Sequence, residues 1–188
     1  MAHAESALPR PARREDFRLV TGDGRFSADW NLAEQLHAVF LRADRAHARI
    51  ERLDASRALA HPGVKAVLTG DDAREAGFKS LPNSVTYPGK DGQAIRKPFH
   101  PVLAMDRVRY VGEPVAMIVA DTAAIAEDAR ELIDIDYAEL PAVTTFEDAV
   151  AAGAPQLHAD VPGNLAFEFD SGDAEAVAAA FSSARTWS

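Results

Sequence analysis

The chain has 188 residues, no cysteine and a formal net charge of −9. That length suits one compact domain, or one domain with the beginning of another. Without cysteine the chain cannot supply disulfides, thiolate metal sites, iron–sulfur ligands or a thiol nucleophile.

The apolar fraction of 47% includes 38 alanines, yet Leu, Ile, Val and Phe still contribute 43 residues, enough for a folded core. The longest apolar run, Pro114 to Ala120, has the length of a buried strand and falls well short of the about 18 residues a membrane span requires. Arg10, Arg13 and Arg14 are followed by Glu15 and Asp16, where a secretory signal would carry an apolar stretch, so a cytoplasmic location is expected. Residues 121 to 175 hold 14 acids against the single Arg130. No basic stripe offers itself to a nucleic acid backbone.

In chain order, residues 1–13, rich in Ala, Pro and Arg without periodicity, read as a loose arm. Thr21-Gly-Asp-Gly is a turn, and Ser27 stands where a dinucleotide fingerprint would need its third glycine. A strand is expected over Gln35–Leu41. Ala48–Leu53 then alternates as a strand, Asp54 can cap a short helix over Ala55–Ala60, Pro62-Gly63 stops it, and Val64–Leu68 forms another strand. A further short helix has Asp71 as its expected cap and Gly77 as its stop.

Phe78 to Pro101 carries four prolines and no apolar period, so it reads as a long loop of the kind that is often functional or partner-facing, with a disordered insertion as the other reading. Val115–Ala120 is an apolar strand, a helix runs from about Ala123 to Ile133, and Ile133–Tyr137 is a strand with alternating acids. Strands joined through helices imply parallel neighbours, and the earlier Gln35–Leu41 strand would add a mixed or antiparallel edge. The fold class expected is therefore α+β, a small mixed sheet with flanking helices. Thr144 with Glu147 resembles a capping box, residues 151–163 read as a linker, Leu165–Phe169 as a strand, and Asp173 as the cap of a helix with the stripe Val177, Ala180, Phe181, Ala184. That last unit, ending at Trp187-Ser188, reads as the start of a second domain.

Residues with catalytic chemistry are few. Asp134 and Asp136, with Glu139 nearby, read as a solvated strand face rather than paired acid–base carboxylates, because nothing in their surroundings suggests burial. His158 and Asp160 could offer two metal ligands, but no companion histidine lies near them in sequence, and His37 and His47 read as structural. No Gly-x-Ser-x-Gly elbow occurs. The most distinctive segment is Arg107-Val-Arg-Tyr-Val-Gly-Glu-Pro-Val. Gly112 and Pro114 shape a turn into the apolar strand, and Glu113 is left as a charge to be paired with Arg107, Arg109 or a partner. No catalytic, cofactor-binding or metal residue is assigned. Arg107, Arg109, Gly112, Glu113, Pro114, Val177 and Phe181 are the interface candidates.

A family resemblance rests on several segments in order: Arg14-Glu-Asp-Phe-Arg-Leu-Val-Thr-Gly-Asp-Gly-Arg-Phe through Asp29, Leu36-His-Ala-Val-Phe-Leu-Arg, and Arg45-Ala-His-Ala-Arg-Ile. Pro62-Gly-Val-Lys-Ala-Val-Leu-Thr-Gly-Asp-Asp, Val108-Arg-Tyr-Val-Gly-Glu-Pro-Val-Ala and Asp136-Tyr-Ala-Glu-Leu-Pro-Ala-Val follow. Together they resemble the N-terminal hammerhead domain of the molybdopterin-binding large subunit in the xanthine dehydrogenase, aldehyde oxidase and carbon monoxide dehydrogenase family.

The resemblance implies a hammerhead domain over residues 14–150, a linker at 151–163 and the start of a molybdenum-binding domain at 164–188. It also implies an assembled oxidoreductase that hydroxylates a carbon with oxygen from water, using molybdopterin with molybdenum, iron–sulfur clusters and FAD. This chain would bind none of those cofactors alone and would not be catalytic alone. Its implied partners are the remainder of the molybdenum-binding subunit and the iron–sulfur and FAD subunits or domains. The competing expectation is a freestanding binding or assembly module of the same fold.

Overall fold

The structure, a computed structural model, describes residues 13–184, so the 1–12 part of the expected arm and Trp187-Ser188 lie outside the described residues. The chain divides into two units, one ending at Gln35 and one beginning at Leu36. In the first, helix α1 (Asp16–Val20) is followed by the expected turn. Gly22 takes a φ of 80°, and the Gly24 N–H donates to the Arg18 carbonyl at 2.8 Å. A single 3-10 turn at Ser27–Asp29 completes it.

Among the described residues the second unit holds six strands in two three-stranded sheets. One sheet has the order β1 (His37–Arg42), β5 (Pro114–Ala120), β3 (Val64–Thr69). The other has the order β4 (Arg107–Val108), β2 (Ala48–Asp54), β6 (Asp134–Glu139). The α+β class stands, but the pairing differs from the parallel neighbours expected, since all four strand pairs are antiparallel. Each strand–helix–strand passage leaves one sheet and enters the other, so the strands it joins never become neighbours. A parallel crossover returns to the same sheet.

β5 occupies the centre of its sheet because the run Pro-Val-Ala-Met-Ile-Val-Ala can be covered on both faces. Ala116, Ile118 and Ala120 face helices α2 (Ser56–Leu59) and α4 (Ala123–Arg130) in a core with Ala58, Ala126, Ala129 and Ile133. A second core gathers Ala43, Ala48, Ala104, Val108 and Val115. Leu53 and Ile135 pack against both cores and so tie the sheets together. The outer face of β2 and β6 is a ladder of ion pairs, with Arg52 on Asp136 at 2.7 Å and Arg57 on Asp134 at 3.4 Å. This places Asp134 and Asp136 on the solvated face that their alternation implies, while Glu139, of the opposite parity at the strand end, is exposed and meets Arg45 at 3.5 Å.

Local details depart from the expected ones. Helix α3 (Gly70–Glu75) is capped by Thr69 and Asp72 in a reciprocal box, not by Asp71, because the chain turns two residues earlier, at the end of β3. Its first residue must be small, since a Cβ on Gly70 would lie 2.2 Å from the Ala104 carbonyl oxygen. α4 has Thr122 as its cap and ends at Arg130, leaving Leu132 and Ile133 to pack on the first core.

Helix α5 (Phe146–Val150) is capped by Thr145 with Asp148, one residue later than the Thr144–Glu147 box. Leu165–Phe169 is an extended stretch rather than a ladder strand. It receives the Arg96 N–H at the Ala166 carbonyl (3.0 Å) and the Lys90 N–H at the Glu168 carbonyl (2.7 Å), too few bonds to build a strand pair. These bonds also order the long 78–101 loop, in which Leu81 N–H donates to the His100 carbonyl at 2.8 Å. Helix α6 (Ala174–Ser183) is capped by Asp173 as expected, and none of its residues is buried.

Candidate functional site

β4, a tight reversal and β5 place Arg109, Tyr110 and Glu113 beside one another. Gly112 makes the reversal possible with a φ of 91°, its N–H donating to the Ala43 carbonyl and its own carbonyl accepting from Arg42 Nη1. Pro114 opens β5, and its carbonyl accepts the Ala104 N–H at 2.7 Å. Glu113 is only 3% exposed. Its Oε2 accepts the Arg109 backbone N–H at 2.5 Å, so the carboxyl closes the turn on itself. The expected pairing with the Arg107 or Arg109 side chain is not what forms. Arg107 goes to Asp106 at 2.7 Å, and the nearest carboxylate to the Arg109 guanidinium is Asp106 at 3.9 Å.

Burial pushes the Glu113 carboxyl above the usual carboxylate range, opposed by the Arg109 N–H and by the charges of Arg109 and His100. The carboxyl lies on a cleft of about 730 Å³, bounded by the two arms of the long loop, the 109–113 turn and Leu157-His158. His158 is held below its ordinary value by burial first and then by Arg109. Tyr110 meets the His100 ring edge-on at a centroid distance of 6.5 Å. The sequence reading found Arg109 and Glu113 but missed this cleft and missed His100, which no spacing in the chain connects to Glu113.

The other candidates lie elsewhere. Val177 and Phe181 are exposed on α6. His47 is buried, with Nδ1 at 2.8 Å from the Pro141 carbonyl, a structural role, while His37 begins β1. Among the described residues no three of His, Asp or Glu converge to hold a metal ion, and a chain without cysteine has no thiolates for an iron–sulfur cluster. The residues present do not fit either group, and no redox step is assigned to them. The site can accept and donate hydrogen bonds in a partly dry cleft. It presents no nucleophile with an adjacent base.

Two antiparallel three-stranded sheets tied by short helices, with a cleft walled by the long loop and the 109–113 turn, define a small α+β domain. Residues 21–141 match the family model described as aldehyde oxidase and xanthine dehydrogenase, a/b hammerhead domain, and the chain belongs to that family.

The 6-hydroxypseudooxynicotine dehydrogenase complex subunit gamma of Paenarthrobacter nicotinovorans is 41% identical over 138 residues, covering 73% of this chain and 17% of the relative. The nicotinate dehydrogenase large molybdopterin subunit of Eubacterium barkeri is 32% identical over 157 residues, covering 84% of this chain and 34% of the relative. Among solved structures, quinoline 2-oxidoreductase from Pseudomonas putida 86 aligns with a TM-score of 0.67 and 43% identity, over 77% of this chain and 18% of that one. The chain thus spans 17–34% of the length of these relatives. Among the described residues no helix is long and apolar enough to cross a membrane.

Proposed function

We propose that this chain is the N-terminal, non-catalytic part of a molybdenum-containing hydroxylase, where it scaffolds the molybdenum-binding domain and contributes contacts between subunits. The supporting observation is the extent of the match: the hammerhead model covers residues 21–141, and the aligned part of this chain accounts for 34% of the large molybdopterin subunit and 18% of the oxidoreductase described above. The division that fits this role is a hammerhead domain over 14–150, a linker at 151–163 and the start of a molybdenum-binding domain at 164–188.

In the assembled, cytoplasmic enzyme molybdopterin with molybdenum, iron–sulfur clusters and FAD would come from other segments or subunits. Together they would supply hydroxylation of a carbon with oxygen from water. This chain's own residues would position and cover. α6 offers Val177 and Phe181 as an uncovered apolar face, and a face of that kind marks a contact surface. The 107–114 turn offers Arg107 and Arg109 as further contacts, with Glu113 holding the turn from within.

The test is to read the reading frame past the Ser188 codon and its neighbours, then to copurify the encoded polypeptides with this chain and assay the complex for molybdenum. A stable complex that contains molybdenum is the expected result. A chain that copurifies with none of them is a freestanding module.

A further inference from the structure

We propose that the cleft between the arms of the 78–101 loop and the 109–113 turn binds a small organic carboxylate, with the Arg109 guanidinium as its anchor. The proposal stands apart from the scaffolding role and does not depend on it. The cleft measures about 730 Å³, within the range of small-molecule sites and far more than one inserted side chain fills. Its walls include Leu81, Pro82, Phe99, Tyr110 and Leu157, apolar surface for a hydrocarbon body.

Its cation is poorly served by the protein. The Arg109 side chain is only 19% exposed, its Nε is buried without an acceptor among the described residues, and Asp106, at 3.9 Å, already holds Arg107 at 2.7 Å. A largely buried guanidinium whose Nε lacks an acceptor and whose Nη2 is 3.9 Å from a carboxylate already holding Arg107 keeps part of its desolvation cost, and a carboxylate is the planar anion that matches it.

The surrounding charges agree. Lys97 Nζ lies on the Asn83 carbonyl rather than on an acid. Arg109 and Lys97 thus bring two cationic side chains to the cleft in a chain of net charge −9. Glu113 is the carboxyl lining the cleft. One of its oxygens is committed to the Arg109 N–H, and Arg109 and Lys97 outnumber it among the charged side chains of the lining.

The test uses the full 188-residue chain and three probes that share a phenyl ring and a two-carbon arm: phenylacetate, 2-phenylethanol and phenethylamine. Titration calorimetry, with the His158 imidazole signals followed by NMR, should show phenylacetate binding at least about tenfold tighter than the other two, as a charge-assisted contact requires. Arg109→Met should remove that preference and Arg109→Lys should restore part of it. Thermal unfolding of each variant checks its fold, and if Arg109→Met does not fold, the three-probe series on the parent chain decides alone. Equal affinity for the three probes, no saturation by phenylacetate at millimolar concentration, or an unchanged preference in folded Arg109→Met would overturn the proposal.

Discussion

The Glu113 carboxyl is bonded to the backbone N–H of Arg109, while the Nε of the same arginine is buried without an acceptor among the described residues and its Nη2 lies 3.9 Å from Asp106. Glu113 therefore closes the turn, and its charge is a burden that the turn does not need. A carboxyl whose folded value is raised binds its proton more tightly in the folded state. Its contribution to stability is complete below the ordinary carboxyl value of about 4.3 and is lost as pH rises through the folded value. Glu113→Gln keeps an oxygen for the Arg109 N–H and has no proton to lose. The melting-temperature difference, variant minus parent, should grow in the variant's favour from pH 4 to pH 7. A difference that stays constant or moves the other way would count against burial as the dominant influence on Glu113.

The sequence revealed what local chemistry controls. Pro114–Ala120 is apolar at every position and is the central strand of its sheet, and Asp173 caps the helix that follows it. Strand partners were not legible. β5 pairs with β1 and β3 through contacts between residues such as Val39 and Ile118, far apart in the chain, and alternation within a strand carries no information about its neighbour. The cleft was hidden for the same reason, since residues near 81, 99, 109 and 157 meet only after folding. Glu113 stood out as a charge between Gly and Pro, but its partner is a backbone N–H, a group every position offers.

Residues 151–163 read as a linker, yet Asn164 fastens their ends. Its Oδ1 accepts the Leu157 N–H at 2.8 Å, and its Nδ2 donates to the Ala149 and Pro155 carbonyls at 2.9 Å. Asn164 also takes a φ of 56°, a conformation asparagine tolerates better than most residues. Asn164→Ala should loosen the segment and make it the first site of limited proteolysis. Asn164→Gly, which keeps the backbone freedom and loses the same bonds, should be cut nearly as fast if the side chain is what holds. Cleavage in Asn164→Gly at the parent rate would assign the effect to backbone strain instead.

Gly70 has an ordinary backbone conformation, so only space forbids a side chain there. A Cβ would meet the Ala104 carbonyl oxygen at 2.2 Å and the Met105 Cα at 2.9 Å, both backbone atoms. Gly70→Ala should therefore push α3 away from the 104–105 segment and cost about 1–3 kcal/mol, the usual range for overpacking. The urea midpoint should fall accordingly. A midpoint within error of the parent would show that the segment yields without cost.

On α6, Val177 is 53% exposed and Phe181 is 79% exposed, on a helix with no buried residue. Removing an exposed apolar side chain changes the stability of a chain by itself very little, within about 0.5 kcal/mol. Removing it from a buried contact loses the full burial of an aromatic ring, about 1.5–3 kcal/mol, which is tenfold or more in affinity. Phe181→Ser should thus leave the melting temperature of the isolated chain unchanged and weaken its association with the remainder of a molybdenum-binding subunit by at least about tenfold. The comparison needs both measurements on the same variant. Association that survives Phe181→Ser and the double change with Val177→Ser would remove α6 from the contact surface and leave the 107–114 turn as the remaining candidate.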